Sequence, residues 1–323
     1  MKTVRLPPLS ALRRCLLPAL WVALAVVLVL GLRQLDMALL WQYLRHAGVL
    51  CMVLAALCNG TTLVWHTLVW GVMLPAGTKV SFPRLLDARA ATAMAAASFH
   101  VLGGQAVGSA LLARQDRMGL TAAFAVLAQD HVSASLSKVA LMATVLVVAP
   151  APGWLVHGAG ILAAGALTVL LVALGLAHRP PSGGSGALGR VLASVGRWAA
   201  LLGALRHGRQ LALGVGLSCL VRAAEVGGLA LTQRAMGLHL PWWSPLLAQA
   251  AVQVARLVPV SPANLGIYEA AVALAYSSLG VPPELALGTA LLGHMAYLVS
   301  QVGLGWTWLN VRAWRTMRTK GAA

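Results

Sequence analysis

Residues 257–280 constrain this chain more than any other stretch. Pro259, Pro262, Asn264, Gly266 and Glu269 interrupt sequence that is otherwise apolar enough for a bilayer. Each proline removes a backbone donor and disfavours helix for the residue before it. In hydrocarbon every backbone group must find a partner within the protein. Irregular chain at membrane depth therefore survives only where protein buries it or water reaches it. Glu269 puts an ionisable group beside the break, and such groups inside a membrane mark functional sites. The segment reads as a broken helix lining a polar cavity, the device by which transporters present unpaired backbone groups to a substrate.

The rest of the composition fits that setting. The chain of 323 residues is 59% hydrophobic and only 10% charged, whereas about a quarter of a soluble globular chain is charged. Residues 15–32, 47–74, 119–149, 153–177, 210–232 and 285–311 are each long and apolar enough to span, which takes about 20 residues. The expected fold is all-α: one polytopic domain over 15–311, with six full crossings and two re-entrant hairpins. A basic N-terminus, 1–14, and a basic tail, 312–323, flank it. The first apolar run lacks a small-residue cleavage site after Leu32, so it reads as an uncleaved span.

The net charge of +17 is no nucleic-acid signature, because the bases fall in blocks between spans. Lys2, Arg5, Arg13 and Arg14 precede the first span. Lys79, Arg84 and Arg89 follow the second, the loop 178–209 holds five arginines, and Arg312, Arg315, Arg318 and Lys320 close the chain. Short loops rich in Lys and Arg stay cytoplasmic. Both termini are thus expected on the cytoplasmic side of the membrane, with the bases near anionic lipid headgroups. Membrane lipids are the expected partners. A membrane-enzyme partner or a second copy of the chain stays open.

Two segments break the pattern of simple crossings. Residues 90–112 are small, glycine-rich and flanked by Arg89 and Arg114, which implies entry and exit on one side. His100, Gly103, Gly104, Gln105 and Gly108 are read as its tip, where glycines allow close approach of backbone to ligand. The same glycines also suit tight helix packing. Residues 244–258 and 264–280 form the second hairpin around the proline break, and the two enter from opposite faces. Within the spans, Gln129 and Asp130 are expected to face the interior. Asp130 and Lys138 point about 80° apart and lie about 12 Å apart along a helix, too far for a direct pair. Arg222 and Glu225, three apart, share a face and are expected to pair. Arg256 continues a stripe with Gln249 and Gln253 up to the break, and an Arg fork suits phosphate. His66, His131 and His294 stand alone in apolar spans, with no metal-ligand spacing. No P-loop or dinucleotide fingerprint is present, and no cofactor is expected.

At Pro259-Val260-Ser261-Pro262-Ala263-Asn264-Leu265-Gly266-Ile267-Tyr268-Glu269-Ala270-Ala271 the chain resembles the flippase-like membrane domain found at the N-terminus of lysylphosphatidylglycerol synthases. The family motif carries two glycines where Ala263 and Asn264 stand here. Gly280-Val281-Pro282 and Ala128-Gln129-Asp130-His131 extend the likeness, and Gly103 to Gly108 is similar to a hopanoid-associated subgroup. Ser109 stands where the family places an acid. The resemblance implies a lipid translocator without the synthase's soluble aminoacyl-transfer domain, hence no enzyme activity. Its cavity residues would be Arg256, Pro259, Pro262, Asn264, Gly266, Tyr268, Glu269, Asp130, Gln129, Gly104, Gln105, Arg222 and Glu225. The alternative is an accessory subunit of a lipid or glycan biosynthesis enzyme.

Overall fold

The computed structural model describes residues 35–321 apart from 76, 100, 116–117, most of 179–206, and 258–260. The expected first span and Pro259 lie outside the described residues. Everything described is helix or connecting turn, with no strand among the described residues. The chain is an all-α polytopic membrane protein.

A short helix, α1 (Met37–Arg45), opens the described chain, capped by Asp36, whose carboxylate accepts from the amides of Ala38 and Leu39. Trp41 on it is exposed, as the aromatic anchor of a surface helix should be. The helix α2 (Val49–Val72) follows, then a hairpin of α3 (Phe82–Phe99) and α4 (Val101–Arg114). Next come α5 (Gly119–Val148), α6 (Gly153–His178) and α7 (Gly208–Ala235). A second hairpin holds α8 (Ser244–Ala255), a 3₁₀ turn (Pro262–Asn264) and α9 (Ile267–Ser277). Finally α10 (Pro283–Leu298) runs through a π-helical turn (Val299–Leu304) into α11 (Gly305–Gly321).

Five helical stretches among the described residues are long and apolar enough to cross a membrane: α2, α5, α6, α7 and the continuous α10–α11. They coincide with the last five expected spans. The third expected span is an uninterrupted helix of 30 residues. The first hairpin starts earlier than expected, at Phe82 rather than 90. Pro83 in its first turn is compatible with helix there, since the missing donor has no partner to lose.

Apolar side chains lie outside and polar ones inside. Val49, Leu50, Val53 and Leu57 on α2 and Leu167, Leu171 and Val172 on α6 are exposed. Asn59, Thr62, Thr67, Gln129, Ser133 and Ser137 are buried. This inversion suits a lipid surround, where helices gain nothing by hiding Leu from hydrocarbon but do gain from packing and interhelical hydrogen bonds. The helix α7 packs along α2, where Cys58 Sγ donates to the Ala224 carbonyl at 3.4 Å. Two apolar clusters seat the hairpins. Trp70, Leu85, Leu112 and Val126 hold α3–α4 against α2 and α5. Leu247, Val252, Val272 and Tyr276 hold α8–α9 against Leu141 of α5, Leu155 of α6 and Ala290 of α10.

Candidate functional site: a cationic cavity between two hairpins

The second hairpin is broken where the sequence indicates. Ala263 (φ 52°), Asn264 (φ 60°) and Gly266 (φ 80°) all lie in the left-handed region. Gly266 adopts it freely, whereas a residue with a Cβ is penalised by about 1–2 kcal/mol. Ala263 and Asn264 hold this conformation despite their Cβ atoms, so other contacts must enforce it.

Those contacts converge on Glu269 and His294. Glu269 Oε2 accepts from the Gly266 amide at 2.7 Å and caps α9. Its Oε1 lies 2.7 Å from His294 Nδ1. On the far side of the ring, His294 Nε2 lies 3.1 Å from the Ala263 carbonyl. Tyr268 stacks on the imidazole with centroids 4.4 Å apart. Carbonyl oxygen only accepts, so Nε2 must donate. The proton between Nδ1 and Oε1 must be present too, on one atom or the other. His294 is 1% exposed. In the sequence it stands alone, because its partner lies 25 residues away, on another helix.

The break borders a cavity of about 400 Å³. Arg89 of α3, Gln105 of α4, Lys138 of α5, Arg256 after α8, Asn264 of the break and Gln301 of the π turn line it. Both hairpins thus contribute to its wall. The charged side chains lining it, among the described residues, are all cations. Arg89 lies over the Trp70 ring at 5.8 Å and Arg256 over the Tyr297 ring at 5.6 Å, contacts that offset part of the cost of desolvating a guanidinium. Gln301 Nε2 donates to Thr62 Oγ1 at 2.9 Å, from a π turn of the kind that gathers at functional sites.

Arg256, Asn264 and Gln105 line the cavity; Glu269 and Asp130 are not among the residues that line it. Asp130 Oδ2 accepts from Trp70 Nε1 at 3.0 Å, and its Oδ1 lies 3.8 Å from His66 Nδ1. Arg222 and Glu225 pair at 2.5 Å. Glu225 also accepts from Gln249, and lies 3.8 Å from Arg256. The stripe Gln249–Gln253–Arg256 therefore leads from this ion pair to the cavity. Tyr268 is buried against His294, and Gln129 is buried with its amide donating to the Ala125 carbonyl at 3.1 Å. Pro262 opens the 3₁₀ turn.

The glycines of the first hairpin do something other than expected. Gly103, Gly104 and Gly108 lie within α4, not in a bend. A Cβ on Gly104 would come within 2.8 Å of the Thr92 carbonyl, and Gly108 faces the Thr92 side chain and Trp70. They let α3 and α4 pack closely. His100 lies outside the described residues. Ser109 hydrogen-bonds the Ala106 carbonyl in its own helix at 3.0 Å. Arg89, read from sequence as one of the loop bases that set orientation, sits within α3 and lines the cavity. A helical register starting at Phe82 is the signal that turns it inward.

A family model described as lysylphosphatidylglycerol synthase TM region matches residues 16–305. No curated protein matches the chain.

Proposed function

Since the chain belongs to the lysylphosphatidylglycerol synthase TM region family, a family of membrane lipid biology, we propose that it is a lipid translocator of a bacterial inner membrane. In this reading the cavity holds a lipid headgroup while the acyl chains stay in the bilayer. The observation that carries it is the cavity itself: a charged, 400 Å³ space inside a bundle whose outer surface is apolar. Such a space is costly in a membrane unless something polar occupies it. The broken backbone at Ala263 and Asn264 lines it, as expected of interrupted helices at transporter sites. The two hairpins enter from opposite faces without crossing. The basic segments set both termini in the cytoplasm.

The test is reconstitution of the full chain into vesicles with fluorophore-labelled phospholipid on both leaflets and a membrane-impermeant quencher outside. A translocator lets the quencher reach most of the label. If the protected half persists as it does in protein-free vesicles, this reading fails.

A second reading is favoured by the family's own description as the membrane region of a synthase: the chain serves a lipid-modifying enzyme as an accessory subunit. It predicts co-purification with a transferase, and transport unaffected by substitution at the cavity.

A further inference from the structure

We infer that the cavity is an anion site, and that its ligand is a phosphate-bearing headgroup of net negative charge. The inference rests on the translocator reading for the lipid origin of that phosphate. The cavity's cationic character stands on its own observations.

Arg89, Lys138 and Arg256 converge on the cavity, and no carboxylate among the described residues lines it. The carboxylates closest by are committed elsewhere. Glu225 is held by Arg222 and Gln249, with Arg256 only at the margin of its reach, 3.8 Å away. Asp130 accepts from Trp70 through Oδ2, while its Oδ1 has no hydrogen bond among the described residues and lies 3.8 Å from His66 Nδ1. Arg89, Lys138 and Arg256 at the cavity and Arg222 behind it stand near three carboxylates among the described residues, Asp130, Glu225 and Glu269, the last bound to Gly266 and His294, which leaves positive charge in excess. Buried charges are ordinarily paired, because an isolated one loses its hydration with no compensation.

The donors are also unspent. Nε of Arg89 and Nε of Arg256 are buried with no hydrogen-bond partner among the described residues. Lys138 lines the same space, and an ammonium carries three donors. Gln105 also lines the space, and its amide nitrogen carries two further donors. Two guanidinium forks and an ammonium around one space match a tetrahedral oxyanion, which accepts several bidentate or charge-assisted bonds at once. A cation would meet three like charges, and a zwitterion would have to place its positive end against them. A volume of 400 Å³ falls in the ordinary range of ligand pockets, about 300–1,000 Å³.

The experiment separates binding from transport. The full chain, purified in a neutral detergent, is titrated with short-chain phosphatidic acid, with phosphatidylcholine of equal chain length, and with inorganic phosphate. Affinity is read by a fluorescence or mass-spectrometric assay. Phosphatidic acid should bind at least about tenfold tighter than the other two. Lys138→Gln should weaken it about tenfold, the size of one lost bond to a charged group. Lys138→Arg should restore most of it, which shows that the loss is not misfolding. Equal affinity for phosphatidylcholine would overturn anion selection. Inorganic phosphate binding as tightly as the lipid would overturn the lipid source. Undiminished binding by both Lys138→Gln and Arg89→Gln would overturn the site. Charge-selective binding without lipid scrambling would leave this site standing and reject the translocator reading instead.

Discussion

The Glu269–His294 pair makes a quantitative prediction about what holds the broken helix. In Glu269→Ala three things happen. The Gly266 amide loses its cap, His294 Nδ1 loses its partner, and the left-handed backbone at Ala263 keeps only the second ring nitrogen. Bonds to charged groups contribute about 1.5–3 kcal/mol each. Two are lost, but coupling measured inside membranes averages about 0.6 kcal/mol, with a maximum near 1.7. The expected cost of Glu269→Ala is therefore about 2–4 kcal/mol. Glu269→Gln should cost about 1 kcal/mol or less. Its carbonyl oxygen can still cap Gly266, and its amide can donate to Nδ1 of an imidazole that keeps its proton on Nε2. The coupling between Glu269→Ala and His294→Ala in a double-mutant cycle should reach about 1–2 kcal/mol, the upper end of the membrane range, because the pair is locked to backbone on both sides. Equilibrium unfolding in mixed micelles, followed by circular dichroism, measures the parent and each variant. Two results would refute the reasoning: additive single mutants, or a Gln variant as unstable as the Ala variant. Either would mean that Glu269 does not hold the break.

Ala263→Gly tests the same region in the opposite direction. Relief of a left-handed Cβ is worth about 1–2 kcal/mol, and glycine returns about 0.4–1 kcal/mol through the unfolded chain. A net gain of about 0.5–1 kcal/mol is expected in the same unfolding assay. Gly104→Ala should destabilise by about 1–3 kcal/mol, because its Cβ meets backbone at Thr92 and neither helix can shift alone, read as a lowered Tm. Asp87→Ala should cost no more than about 1 kcal/mol. Asp87 accepts from Trp308 at 2.8 Å and pairs with Arg312 at 2.6 Å, but both charged groups are partly exposed.

What the sequence disclosed and what it withheld divide along physical lines. Five of the expected spans match helices because hydropathy over about 20 residues is a strong, one-dimensional signal. The break at 261–266 was legible for a related reason: proline and glycine act locally on the backbone, whatever the surroundings. The Arg222–Glu225 pair was legible because both residues sit on one helix. The pairings of Glu269 with His294 and of Asp130 with Trp70 were not, because each joins two helices and depends on their rotation and depth. Gly104 and Gly108 show a further limit. A glycine cluster fits a bend or a close packing face equally well, and only the start of α3 at Phe82 decides between them.

The placement of charge then follows one rule across the interior. The carboxylates are held back from the cavity by fixed donors: Trp70 for Asp130, Arg222 and Gln249 for Glu225, Gly266 and His294 for Glu269. The arginines at the cavity have aromatic faces behind them, Trp70 under Arg89 and Tyr297 under Arg256, and Arg256 has Glu225 only at 3.8 Å. An aromatic face stabilises a guanidinium by about 1–2 kcal/mol and leaves its donors free, whereas a carboxylate in contact would take them up. Trp70 serves both sides of this arrangement, with its ring toward Arg89 and its N–H toward Asp130. The interior is thus built to keep positive charge available at one place. The cations, more than the carboxylate beside the proline break, are therefore the charged groups that line the cavity.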